Sequence, residues 1–148
     1  MNHTGLVVIA ARWLRRRGCN IVLTETGRAG EEHPDAIGWE PAGMSTVVEA
    51  KTTRKDFLAE WTRTDRKEHR RARGMGIRRF YLAPSGIIRP EELVENGWGL
   101  IEVFTGGFLE RKPSEPFDAN RDAELRLLVA NYSKVERAKD SKQRQFEW

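Results

Sequence analysis

A single cysteine, Cys19, stands in a chain of 148 residues. One thiol cannot build an internal disulfide framework or a multi-cysteine zinc site, so Cys19 reads as a buried apolar side chain. Long apolar runs are missing as well. The first apolar stretch, from Leu6, is broken by Arg12 and closed by Arg15, Arg16 and Arg17. Nothing approaches the roughly 20 apolar residues of a membrane-crossing helix, and the amino terminus lacks a signal-peptide pattern. The expectation is a soluble, cytoplasmic protein of a reducing compartment that makes no membrane contact. Gly74-Met75-Gly76 lacks the Lys-Ser/Thr context of a phosphate loop and reads as a helix-to-strand turn. No helix-turn-helix or zinc-finger pattern is present to read a nucleic-acid sequence, and no nucleotide or haem site is visible. Internal repeats and a linker that would split the chain are also lacking.

What is there begins with enough apolar residues, 39% of the chain, to form one folded domain. The formal net charge of +4 is unevenly spread. From Arg54 to Arg79 there are ten Lys/Arg against four Asp/Glu, a net of +6, which leaves −2 for the rest. A basic segment on a nearly neutral body suits a polyanion such as nucleic acid. The plainer reading is a solvated helix face.

Leu6, Val7, Ile9, Ala10, Trp13 and Leu14 recur at helical spacing, with Gly18 as C-cap. Ile21 to Thr26, Asp35 to Trp39 and Thr46 to Thr52 read as three strands joined by short connections, hence an antiparallel meander. Thr53 and Asp56 fit a capping box for a helix carrying Phe57, Leu58 and Trp61 and continuing into a basic stretch. Arg79 to Ala83 and Gly99 to Phe104 read as further strands, with a helical turn at Pro90-Glu91-Glu92-Leu93 between them. Leu125, Leu128, Val129, Tyr132 and Val135 mark a C-terminal amphipathic helix. The expected limits are one domain over residues 1–137 and a polar, frayed tail over 138–148. This order predicts an α/β fold whose mixed sheet combines a meander with a crossover.

The stretch Ser45-Thr46-Val47-Val48-Glu49-Ala50-Lys51-Thr52-Thr53 carries the chemistry. Glu49 and Lys51 share the strand face of Val47, so an acid and a base lie on an apolar strand. Four acid-x-Lys triplets occur: at Glu49, Asp65, Glu110 and Asp140. Only the first lies on an apolar strand, where burial is costly unless charges are paired or hold a metal. Only it follows a Pro-Asp pair, Pro34-Asp35, one strand earlier. If the two strands form a hairpin, Asp35 lies beside Glu49. Adjacent carboxylates repel, and a hard cation such as Mg²⁺ relieves that repulsion, with the Ala50 carbonyl as a further ligand. Such a site can polarise a phosphodiester and activate water. Lys51 can orient that water or offset charge on the phosphate. The plain alternative is an ion pair on the wet face of an antiparallel strand.

Pro34-Asp35 followed by Glu49-Ala50-Lys51 resembles the PD-(D/E)XK nuclease superfamily, of restriction-endonuclease-like fold. The order α-β-β-β-α-β is similar to that family's core. "VVEAKTTRKDF", "GMGIRRFYLAP" and "NGWGLIEV" are similar to small stand-alone members from phages and bacteria. The likeness spans roughly Gly5 to Phe104. It implies an αβββαβ core with a mixed central sheet flanked by helices, plus a C-terminal helix. It further implies Asp35 and Glu49 as ligands of Mg²⁺ or Mn²⁺, Lys51 as the catalytic lysine, and a homodimer. Many members carry a glutamate on the first helix, whereas Leu6 to Arg17 here contains no acid. Glu25 could serve nearby or be an exposed strand-end residue.

Arg54 and Lys55, in the first turn of the helix after Lys51, are candidate phosphate contacts or ordinary surface charge. Asp56 reads as a cap residue. Arg66, Lys67, Arg70, Arg71 and Arg73 are candidate DNA-backbone contacts, which position without reading sequence. His33, beside Pro34-Asp35, is a secondary candidate, and His69 reads as a surface residue. Trp39, Trp61 and Trp98 read as core. Three functions follow. The first is a metal-dependent nuclease that hydrolyses DNA phosphodiesters in repair, recombination or phage defence. The second is a nucleic-acid-binding module that lost the chemistry. The third is a phage-type factor that binds a protein partner.

Overall fold

The computed structural model describes residues 1–25, 33–61 and 74–146, with Trp61 and residues 144–146 as backbone only. The first helix, α1 (His3–Arg17), starts where the Asn2 side chain accepts the Gly5 N–H at 2.8 Å. It stops at Gly18, whose φ of 113° suits glycine, with the cap N–H returning to Arg15. Leu6, Val7, Ala10, Trp13 and Leu14 form its buried stripe.

Three strands follow: β1 (Ile21–Thr24), β2 (Ala36–Trp39) and β3 (Ser45–Ala50). Next come α2 (Arg54–Trp61), β4 (Arg78–Pro84), a 3-10 turn at Pro90–Leu93, β5 (Gly99–Phe104), β6 (Gly107–Lys112) and α3 (Arg121–Phe146). The six strands form one sheet in chain order. β2 is antiparallel to both β1 and β3, β3, β4 and β5 are parallel, and β6 returns antiparallel on β5. The α/β class, the mixed sheet and the meander followed by a crossover all match the sequence reading.

The sheet is covered on both faces, which is what central parallel strands require. On one face α1 packs over Ala36, Val48, Ala50, Phe80, Leu82, Ile101 and Val103. On the other, Phe57 of α2 joins Tyr81, Leu93, Trp98 and Leu100. Ile37, Trp39, Val47 and Met75 lie beside Leu127 and Leu128 of α3. Every residue of β3 is therefore buried, which goes against the plain alternative of an ion pair on a wet strand face.

Three other expectations change. β6 was not foreseen: no residue of it is fully buried and half of it is charged, as suits a sheet edge. The tail from Ala138 is helical through Phe146, so α3 runs across the expected boundary at residue 137. Of the expected apolar stripe on α3, Leu128 packs on the core, but Leu125, Val129, Tyr132 and Val135 are 60%, 55%, 65% and 52% exposed. The helix is anchored instead by Leu127, Leu128 and a buried acid, Glu124. The Glu124 carboxylate accepts hydrogen bonds from Trp39 Nε1 (3.1 Å), Ser45 Oγ (2.9 Å), Gly76 N (2.9 Å) and Arg121 Nη1 (3.1 Å). A fully satisfied carboxylate can be buried without the penalty of an orphan charge.

Candidate active site

The β2–β3 register pairs Ala36 with Val48. One step outward, Asp35 comes opposite Glu49. The backbone N–H of Glu25 donates to the Asp35 carbonyl at 3.1 Å, so the β1–β2 ladder also runs one residue past β1. Glu25, Asp35 and Glu49 thus occupy one end of three neighbouring strands. Lys51 follows directly, its backbone N–H donating to the Leu82 carbonyl at 2.9 Å. The structure brings Asp35, Glu49, Ala50 and Lys51 together at the carboxyl end of β3, as their spacing predicts. Glu49 lies two residues from Val47 and shares its face, the one covered by α2 and α3.

Asp35 is half-buried, and Glu49 is only 7% exposed. Asp35 Oδ2 accepts the Ala50 N–H at 2.8 Å, which fixes the carboxylate against β3. Its Oδ1 lies 3.2 Å from Nε2 of His3. Lys51 forms an ion pair with Glu60 on α2, and the two side chains are only 15% and 10% exposed. His3 and Glu60 are the residues that sequence reasoning missed. His3 falls just ahead of the apolar periodicity, in a first turn opened by the Asn2 cap. Glu60 had a usable signal: it lies three residues after Phe57, on the same helix face, and Phe57 is 1% exposed against the sheet.

The other candidates separate. Glu25 is exposed and holds φ 49°, a left-handed conformation that non-glycine residues adopt rarely. His33 is exposed at the start of the segment leading to Asp35. Arg54 does not present a free guanidinium. It grips Glu92 bidentately at 2.5 and 3.1 Å and donates to the Ile87 carbonyl at 2.8 Å. This pairing holds the Glu92 carboxyl well below its ordinary range, at about 2, with the Arg54 hydrogen bond as the largest cause. Lys55 is exposed on the first turn of α2. Asp56 caps that helix as expected: its N–H donates to Thr53 Oγ1 at 3.1 Å, and its carboxylate accepts the Thr52 hydroxyl at 2.8 Å. Trp39 and Trp98 are core residues, each 5% exposed. Cys19 is buried, and burial pushes its thiol up to about 11, so it is inert at neutral pH. Arg66, Lys67, His69, Arg70, Arg71 and Arg73 lie outside the described residues.

Asp35, Glu49 and the Ala50 carbonyl form an all-oxygen donor set, the kind that a hard cation takes while keeping several waters. The hydrogen bond from Ala50 uses one of about four lone-pair sites on the Asp35 carboxylate, so capacity for a cation is left. The described residues contain no group of three His, Cys, Asp or Glu that could hold a metal by side chains alone. A cation here would depend on backbone carbonyl and water ligands.

No protein-family model matches the chain, and no curated protein is similar to it. A solved structure, a protein of unknown function from Silicibacter pomeroyi designated SPO1766, has a similar fold with a TM-score of 0.66. The likeness covers 93% of this chain and 90% of that one at 20% sequence identity. At that identity the shared property is the fold.

Proposed function

We propose that this chain is a metal-dependent nuclease of restriction-endonuclease-like fold that hydrolyses phosphodiester bonds in DNA. The observation that carries the reading is the register that sets Asp35 opposite Glu49, with Lys51 immediately after the end of β3. A buried strand gains nothing in stability from an acid and a lysine that apolar residues of like volume could not supply. A phosphoryl-transfer site does need them there.

Asp35, Glu49 and the Ala50 carbonyl would hold Mg²⁺ or Mn²⁺, which supplies a polarised phosphoryl oxygen and an activated water. Asp35 is oriented for this by the Ala50 N–H, and Glu49 by its place in the ladder. Lys51 keeps a proton at Nζ and directs it at the attacking water or a non-bridging phosphate oxygen. α2 begins immediately after Lys51, and Lys55 on its exposed first turn offers a contact to the flanking phosphate. The basic run at Arg66, Lys67, Arg70, Arg71 and Arg73 supplies further charge for the DNA backbone.

The test is a cleavage assay on duplex, single-stranded and branched DNA, with Mg²⁺ and with Mn²⁺, comparing the wild type with Lys51→Ala. Cleavage by the wild type, abolished by chelator and by the substitution, is expected. Cleavage that survives Lys51→Ala would falsify the assignment. A second reading, DNA binding without chemistry, has one specific support. α1 carries no acid in its first turn, and the group it brings to Asp35 is His3. Salt-sensitive binding in chelator, with every substrate left intact in metal, would establish that reading instead.

A further inference from the structure

α3 outruns the body that it is attached to. Ala123, Leu127 and Leu128 pack beside Trp39 and Val47 on the sheet, and Glu124 fastens the first turn. From Tyr132 to Gln143 every residue except the half-buried Glu136 is exposed, although the helix continues to Phe146. A free-standing helix of about 15 residues is marginal in water. This one also carries apolar side chains outward: Leu125, Val129, Tyr132 and Val135 are each more than half exposed. At 3.6 residues per turn they fall within about 120° of one another, as one stripe beside the face that meets the core. Four side chains left open to this degree make an apolar patch of roughly 400 Å², the size that marks an interaction site on a protein surface.

The two internal segments outside the described residues cannot supply an apolar cover. Residues 26–32 and 62–73 contain no apolar side chain larger than Ala29 and Ala72. Trp148 lies two residues past α3, about 7 Å of chain, whereas Val135 is about 16 Å back along the helix.

What matches the stripe is the stripe itself. Turned antiparallel about a two-fold axis near residues 130–131, a second copy sets its Tyr132 against Val129 and its Val135 against Leu125, each contact being made twice. The same turn brings its Glu136 to Arg126 and its Lys139 to Asp122. Within one chain Glu136 and Lys139 form only an exposed pair at 3.7 Å, which is worth little and readily exchanged. A parallel pair would set Arg126 beside Arg126 and Glu136 beside Glu136. The two apolar patches with these flanks reach roughly 1,000–1,200 Å², the low end of specific interfaces, so the pairing is reversible.

We propose that this protein self-associates through the outer face of α3 as a reversible, antiparallel dimer. The surface lies on a helix that the family likeness does not reach, and the pairing holds whether or not the candidate site cleaves DNA.

The experiment is sedimentation velocity on the full chain over about 1–300 µM, a range that brackets a micromolar Kd. The 17.0 kDa monomer should give way to a species of twice that mass, with a Kd of about 1–100 µM. Val129→Glu and, separately, Tyr132→Glu place a charge in the seam twice per dimer, so each should raise Kd at least ~10-fold. Both positions are exposed in the monomer, so circular dichroism and thermal melts at low concentration should match wild type. Arg126→Glu should weaken the dimer, and Arg126→Glu combined with Glu136→Arg should restore it. A wild type that stays monomeric throughout overturns the proposal, as does a dimer that neither seam variant weakens. A double variant as weak as Arg126→Glu alone overturns the antiparallel order. A wild type that floats with phosphatidylglycerol vesicles while remaining monomeric assigns the stripe to a lipid surface and overturns the dimer.

Discussion

Asp35→Asn separates what Asp35 does for the fold from what it does for the chemistry. In the structure Oδ2 accepts the Ala50 N–H at 2.8 Å, and Oδ1 lies 3.2 Å from His3 Nε2. Asparagine keeps one carbonyl oxygen, which can still accept the Ala50 N–H. Its amide replaces the oxygen that faces His3. The structural loss is thus the difference between a charged and a neutral acceptor, about 0.5–1.5 kcal/mol. Against a total stability of about 5–15 kcal/mol the variant stays folded. Its melting temperature should fall by about 2–4 °C. The chemical loss is of another order. An amide brings no negative charge to a cation and cannot replace the lost ligand, so cleavage in Mg²⁺ should drop by at least ~100-fold. Asp35→Ala, which also leaves the Ala50 N–H without its acceptor, should cost about 1–3 kcal/mol while losing no more activity than Asp35→Asn. The assay is cleavage against time at saturating Mg²⁺, with thermal melts on the same preparations. If Asp35→Asn cleaves within about 3-fold of wild type, the cation-ligand role is refuted, whatever the melting temperature does.

Two further outcomes follow from groups outside the site. Glu124→Ala strands the buried Trp39 Nε1–H and the Gly76 N–H and removes a buried carboxylate from Arg121, so urea denaturation should show a loss of about 3–5 kcal/mol. A loss below about 1 kcal/mol would contradict the anchoring role given to Glu124. Arg54 holds Glu92 at about 2 from the usual 4.5, so the folded state binds fewer protons than the unfolded chain in that interval. The stability this pair contributes is present above pH ~4.5 and is lost as the pH falls toward ~2. Glu92→Gln should flatten that acid limb in pH-dependent melts, and an unchanged limb would show that other carboxylates dominate it.

The parts of this fold that were legible in the sequence are those whose apolar period is undiluted. β5 was bounded correctly because Gly99 and Phe104 enclose a run buried on both faces. The buried stripe of α1 was read from Leu6 to Leu14 for the same reason. β6 escaped because an edge strand with Leu109, Glu110 and Arg111 exposed and Phe108 packed on the core shows too short an apolar period to read. Its one signal was the Thr105-Gly106 pair between Phe104 and Gly107, where Gly106 takes φ 94°. The end of α3 escaped because a helix polar all round carries no period. Its apolar stripe misled apart from Leu128, since a buried glutamate, Glu124, shares the anchoring of α3 with Leu127 and Leu128. In the site, Asp35, Glu49 and Lys51 were legible because strand alternation and hairpin register are local rules. His3 was not, and Glu60 was legible only as to its helix face, because their partners are fixed by how two helices dock on the sheet.

The two ends of β3 use their polar groups differently. At the amino end, Ser45 is buried, and its hydroxyl donates to Glu124 while accepting from Ile77 N and Arg121 Nη1. That network is closed: protein groups meet both Glu124 oxygens, and its Arg121 donates onward to the Gly43 carbonyl. It locks α3 to the sheet and leaves nothing to offer a ligand. At the carboxyl end the arrangement differs in kind. Asp35, Glu49 and Lys51 gather there, and Asp35 keeps lone-pair capacity after accepting the Ala50 N–H. This cluster falls at the carboxyl end of a strand that is parallel to its neighbour β4, where open α/β sheets leave a crevice for ligands. The same strand thus satisfies its polar groups where it is only built upon. It gathers Asp35, Glu49 and the Ala50 carbonyl where we propose that a divalent cation is held.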